Sequence, residues 1–197
     1  MDSPLNVPMF KGYLGRKCTM QTGVTTDHLA LLREIRDSVG HIDTPGLNDK
    51  EITTFLAHDP ALALAIEEAA VRFQAMAQEY PDLYLDSDET ELITTLQEGF
   101  VNFYNPATVN PYVALSARGP WIVSSHGAVI HDNGGYGMLG AGHGPDQVIR
   151  SMADNWVMAN VMTASFSQKR LEERLRNELG HTRGSCPFDK FICMNSG

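Results

Sequence analysis

The chain has 197 residues, 43% of them apolar and 20% charged, a composition that excludes global disorder and suffices for one domain with a core. Its 15 Lys and Arg stand against 24 Asp and Glu, a net charge of −9 with no basic run. A sequence-independent grip on nucleic acid or on an anionic membrane surface needs clustered cations, so neither is expected as a partner.

No stretch nears the ~18–20 apolar residues of a membrane span. Met1-Asp2-Ser3-Pro4-Leu5 shows no basic region leading into an apolar run, so no signal peptide is expected. Cys18, Cys186 and Cys193 are scattered, with no Cys-x-x-Cys; they read as reduced thiols of a cytoplasmic protein, and no zinc site is expected.

The chain divides near Pro106. Residues 1–106 read as a helical module. Thr26 or Asp27 caps a helix carrying Leu29, Leu32, Ile35 and Val39, with Gly40 as its stop. Asn48 and Glu51 form a cap pair before Ile52, Phe55 and Leu56. Asp59-Pro60 sets a capping carboxylate before a proline at the first helical position, and Leu62, Ile66, Ala69, Phe73 and Met76 continue the apolar face to Tyr80-Pro81. Asp86 and Glu89 have capping-box spacing ahead of Leu92, Leu96, Phe100 and Phe103. The four helices are expected to share one core. His28, His41 and His58 read as surface or cap residues.

Residues 107–197 change character. Trp121-Ile122-Val123 and Ala128-Val129-Ile130 are strand-like, with His126-Gly127 as a turn between them and Asp132-Asn133-Gly134-Gly135 as a second turn. Pro145 opens a helix bearing Val148, Met152 and Trp156. Ser165 and Gln168 box the next, whose face is Leu171, Leu175 and Leu179 with Gly180 as its stop. Lys190 to Met194 reads as an apolar strand running into Asn195-Ser196-Gly197.

Three constellations bear on chemistry. Gly135-x-Gly137-x-x-Gly140 matches a dinucleotide fingerprint in form, but Gly142, Gly144 and Pro145 interrupt the helix that such a site requires. His126, His131 and His143 are candidate metal ligands or acid–base groups, without a carboxylate at a diagnostic spacing; the plainer reading makes them turn and loop residues. Asn195-Ser196-Gly197, after an apolar strand, is the kind of junction at which α/β sheets offer backbone N–H groups to an anion.

Taken in order, these pieces resemble the N-terminal part of a class III, fold type I pyridoxal-phosphate aminotransferase. The matching segments are Arg118-Gly119-Pro120-Trp121, Val129 to Gly135, Gly142-His143-Gly144-Pro145 before a helix, and Phe191 to Gly197. The resemblance implies an α/β fold, here partial and preceded by the helical module, and transfer of an amino group between an amino acid or amine and a keto acid. It implies pyridoxal 5'-phosphate as cofactor and a homodimer. It places Ser196 and Gly197 at the cofactor phosphate and Tyr136 on the substrate side.

The chain departs from the family pattern in a short loop between Asp132 and Gly142, and in Gly144-Pro145 directly after His143. None of Lys11, Lys17, Lys50, Lys169 or Lys190 sits in the context of the family's Schiff-base lysine. The expectation is therefore a fragment of a longer enzyme, inactive by itself and supplying no catalytic residue. Two other classes stand beside it: a non-enzymatic helical interaction module with a degenerate α/β tail, and an intact small enzyme using His126 or His143.

Overall fold

The computed structural model describes residues 26–83, 87–101, 105, 108–133, 140–154 and 163–192. In chain order the elements are α1 (His28–Arg36), α2 (Asp49–Leu56), α3 (Pro60–Glu79), α4 (Glu89–Gln97), β1 (Ala114–Arg118), β2 (Trp121–Ser124), β3 (Val129–His131), α5 (Asp146–Ala153) and α6 (Phe166–Gly180). Helices together with a small antiparallel sheet in the order β1-β2-β3 make a mixed α/β class.

The helix starts follow from local chemistry. Asp27 accepts the Ala30 N–H and starts α1. Asn48 and Glu51 form a complete capping box on α2. Asp59 accepts the Ala61 N–H, and Pro60, which has no N–H to leave unpaired, begins α3. Ser165 and Gln168 box α6.

The core is built on α3. Leu62, Ala65, Ile66 and Ala69 are fully buried at 0% exposure, on one face of that helix. They meet Leu32 and Ile35 of α1, Ile52 of α2, and Trp121, Val123 and Val129 of the sheet in one cluster. The alanines keep α3 close to β1, where the buried Ser116 hydroxyl donates to the Ala65 carbonyl at 2.5 Å. The first four helices thus do not close on one another alone: the cluster takes residues from both sides of residue 106.

α4 is joined to the rest by a different device. Its N-cap is Asp88, whose carboxylate accepts the His41 N–H at 2.7 Å. Glu89, expected as a cap partner, is instead fully buried and accepts the Asp43 and Thr44 N–H groups at 3.0 and 2.9 Å. Leu92 is buried, but Leu96 and Phe100 are 44% and 81% exposed, so the expected apolar face is only partly used. Asp86 and Phe103 lie outside the described residues.

Two further expectations change. Lys190, Phe191 and Ile192 join no strand; Ile192 is 84% exposed, and Arg176 of α6 draws the preceding Phe188 and Asp189 carbonyls toward itself. Gly180 does not follow α6 but is its last residue, buried where a Cβ would lie 2.8 Å from the Ser185–Cys186 backbone.

A cavity left at the centre of the α3 face is not easily refilled. Ile66→Ala should cost about 2–5 kcal/mol, read from the denaturation midpoint at constant slope. Phe73→Ala, at a half-buried position on the edge of the cluster, should cost less. Equal losses at the two positions would contradict this placement of the core.

Candidate functional site

The site lies where the β1–β2 turn meets the loop before α5. Arg118 and Trp121 face each other at the end of the hairpin, and Gly119 turns the chain with φ +54°. Gly119 and His143 exchange two backbone hydrogen bonds, His143 N–H to the Gly119 carbonyl at 2.7 Å and Gly119 N–H to the His143 carbonyl at 2.9 Å. Gly142 allows this approach: with φ +74°, a Cβ there would stand 2.9 Å from the Gly119 Cα. Asp132 closes the third side, its N–H donating to the Pro120 carbonyl at 2.7 Å.

This backbone clasp brings Asp132 and His143 together, with Asp132 Oδ2 2.9 Å from His143 Nε2. Both side chains are only about a fifth exposed, 22% and 21%. A carboxylate accepts, so Nε2 carries the hydrogen in this contact. The Tyr112 hydroxyl is pushed above its ordinary range, first by burial and then by the Asp132 charge.

The other flank is an ion-pair network. Arg118 donates through Nε and Nη2 to Glu68 Oε1 at 3.0 and 2.5 Å, and through Nη1 to the Gly144 carbonyl at 3.1 Å. Asp146 stands 3.6 Å away. The hydrogen bond from Arg118 to Glu68 is the main cause holding the guanidinium above its ordinary pKa. One side chain therefore links α3, β1 and the turn into α5.

The three histidines considered together in the sequence are placed apart in function. His126 is 0% exposed. Its Nε2 faces the Ser87 carbonyl at 2.9 Å and so carries the hydrogen, leaving Nδ1 to accept the Ser125 hydroxyl at 3.0 Å. His131 packs edge-on to Trp121 and bonds Asn133. Among the described residues no group of three or more His, Cys, Asp or Glu is placed to hold a metal ion.

Tyr136, Ser196 and Gly197, the candidate substrate and phosphate residues, lie outside the described residues. So do Gly135 and Gly137; Gly140 is described, and among the described residues 140–145 no helix begins, α5 starting at Asp146. Sequence reasoning missed Asp132 as the partner of His143, because their separation across a glycine-rich loop has no helical or strand period. It missed Glu68 for Arg118 because the two stand on different elements, α3 and β1, 50 residues apart.

Among the described residues no helix is long and apolar enough to cross a membrane. Comparison of the chain with protein-family models, with curated proteins and with solved structures returned no match.

Two glycines separate the clasp from its loop. Gly142→Ala should free the turn, seen as rapid amide exchange at His143, whereas Gly140→Ala, which meets nothing within 4 Å, should leave that amide protected. Protection of His143 in the Gly142→Ala protein would show that the close approach is not required.

Proposed function

We propose that this chain is the N-terminal part of a pyridoxal-phosphate-dependent class III aminotransferase, moving an amino group between an amino acid or amine and a keto acid. One observation carries this reading. Three of the segments that bear the resemblance, Arg118 to Trp121, Val129 to Asn133 and Gly142 to Pro145, pack as one unit through the Gly119–His143, Arg118–Gly144 and Asp132–His143 contacts; Cys193 to Gly197 of the fourth lie outside the described residues. Motif pieces that share a site in a folded enzyme must meet in space, and the contact among these three supports the reading.

The described lysines do not fit the cofactor's anchoring residue. An amine that forms an imine at neutral pH is desolvated or set beside other cations, so that its pKa falls. Lys50 and Lys190 are exposed. Lys169 points at Glu172 and Glu173, and the hydrogen bond to Glu172 raises its pKa. None of these three lysines fits the anchoring role, and within the proposal the parent enzyme supplies that lysine elsewhere. Within the proposal, the clasp is a rigid wall, Tyr136 faces the substrate, Ser196 and Gly197 face the cofactor phosphate, and the parent enzyme is a cytoplasmic homodimer.

The test has two arms. After mixing with pyridoxal phosphate, borohydride reduction and peptide mapping, the chain should carry no stoichiometric lysine adduct. A longer gene product containing this sequence should show the visible imine band and transfer an amino group to a keto acid. A stoichiometric adduct on any of the five lysines, Lys11, Lys17, Lys50, Lys169 or Lys190, would overturn the fragment assignment. A longer product that neither takes up the cofactor nor transfers amino groups would overturn the aminotransferase assignment and favour a non-enzymatic interaction module.

A further inference from the structure

The chain's negative charge is not spread evenly. Residues 73–117 contain seven acidic residues and no Lys or Arg. α4 lies within this stretch, and beside it opens a groove of about 620 Å³. Leu83 and the buried Leu92 supply its apolar floor, Asp82 and Glu91 its acid groups, and Ser87 and Thr90 further hydroxyls. The first turn of α4 is held in place: Asp88 and Glu89 fix it to the 41–44 loop. An acidic groove with an apolar floor suits a segment that alternates cations with apolar side chains.

Residues 1–25 have that chemistry. They carry Lys11, Arg16 and Lys17 against the single acid Asp2, with Phe10, Tyr13 and Leu14 among the cations. Twenty-five residues span up to about 80 Å when extended, so tether length does not limit access to α4. Covalent linkage raises their effective concentration at the groove far above that of a free peptide. We propose that the groove beside α4 is a docking site for the chain's own residues 1–25, held by Lys11 and Lys17 against Asp82 and Glu91, with apolar side chains on Leu83 and Leu92. This assignment is independent of the aminotransferase reading.

Zero-length carbodiimide cross-linking of the full chain, followed by peptide mapping of the monomer band, tests it. The exposed Lys169–Glu172 pair, 2.9 Å apart, serves as internal control for reagent and detection. The expected result is a monomer-band cross-link from Lys11 or Lys17 to Asp82 or Glu91. Its yield should fall at least fivefold in the Asp82→Asn/Glu91→Gln double variant, and comparably in about 1 M salt, where the screening length is only ~3 Å. The unaltered chain at low salt carries the test even if the variant fails to fold. Three results would overturn the proposal: the control cross-link alone, Lys11 and Lys17 joined to acids scattered over the chain, or the Lys–Glu91 linkage only in dimers, which would make the occupant a second copy.

Discussion

The seating of α3 on β1 and β2 is the contact on which the rest of this structure depends. It works because α3 presents Leu62, Ala65, Ile66 and Ala69 in one buried row, in which two of the four side chains are single methyl groups. The short side chains let Ser116 reach the Ala65 carbonyl, and they leave room for Trp121, which is 2% exposed. The Trp121 indole N–H then donates to Asp59 at 2.7 Å, and its ring meets Phe55 and His131 with centroids 4.9 Å apart. Asp59 thus serves two ends, the start of α3 and the side of β2. The helix cannot shift along the sheet without breaking either its cap or the indole bond to Asp59.

The candidate site inherits its position from that seating. Glu68 projects from α3 beside the buried row and meets Arg118 at the end of β1; Arg118 then holds the Gly144 carbonyl. Pairing a partly buried guanidinium with a carboxylate offsets the cost of desolvating both. The Asp132–His143 contact follows from the same geometry, because Gly119 and Gly142 let two turns approach at backbone distance. Chemistry-bearing side chains are brought together here by turns, and the turns are held by an ion pair anchored in the core helix.

What was legible in the sequence was local. Asp27, Asn48 with Glu51, Asp59-Pro60 and Ser165 with Gln168 act within one helical turn, and each caps the helix expected of it. The hairpin turn at His126-Gly127 was also legible, since Gly127 has φ +73°. Partners distant in sequence were not. Glu89 has capping spacing, yet its carboxylate serves backbone groups 45 and 46 residues away. The 190–192 segment is apolar enough for a strand but finds no neighbouring strand among the described residues, and Arg176 captures the carbonyls before it. In the site, the histidine at 143 was visible, but its carboxylate was not, because a loop without periodicity sets that distance. Tyr136, Ser196 and Gly197 rest on resemblance alone.

The central claim is that α1, α2 and α3 before residue 106 and the sheet after it share one cooperative core. Equilibrium unfolding of a Trp156→Phe chain, followed by far-ultraviolet circular dichroism and by Trp121 fluorescence, tests it directly. Trp121 then reports the sheet, while the dichroism is dominated by the helices. A shared core predicts coincident transitions with one midpoint. Two separated transitions, with Trp121 exposed while the α1–α3 signal persists, would contradict it.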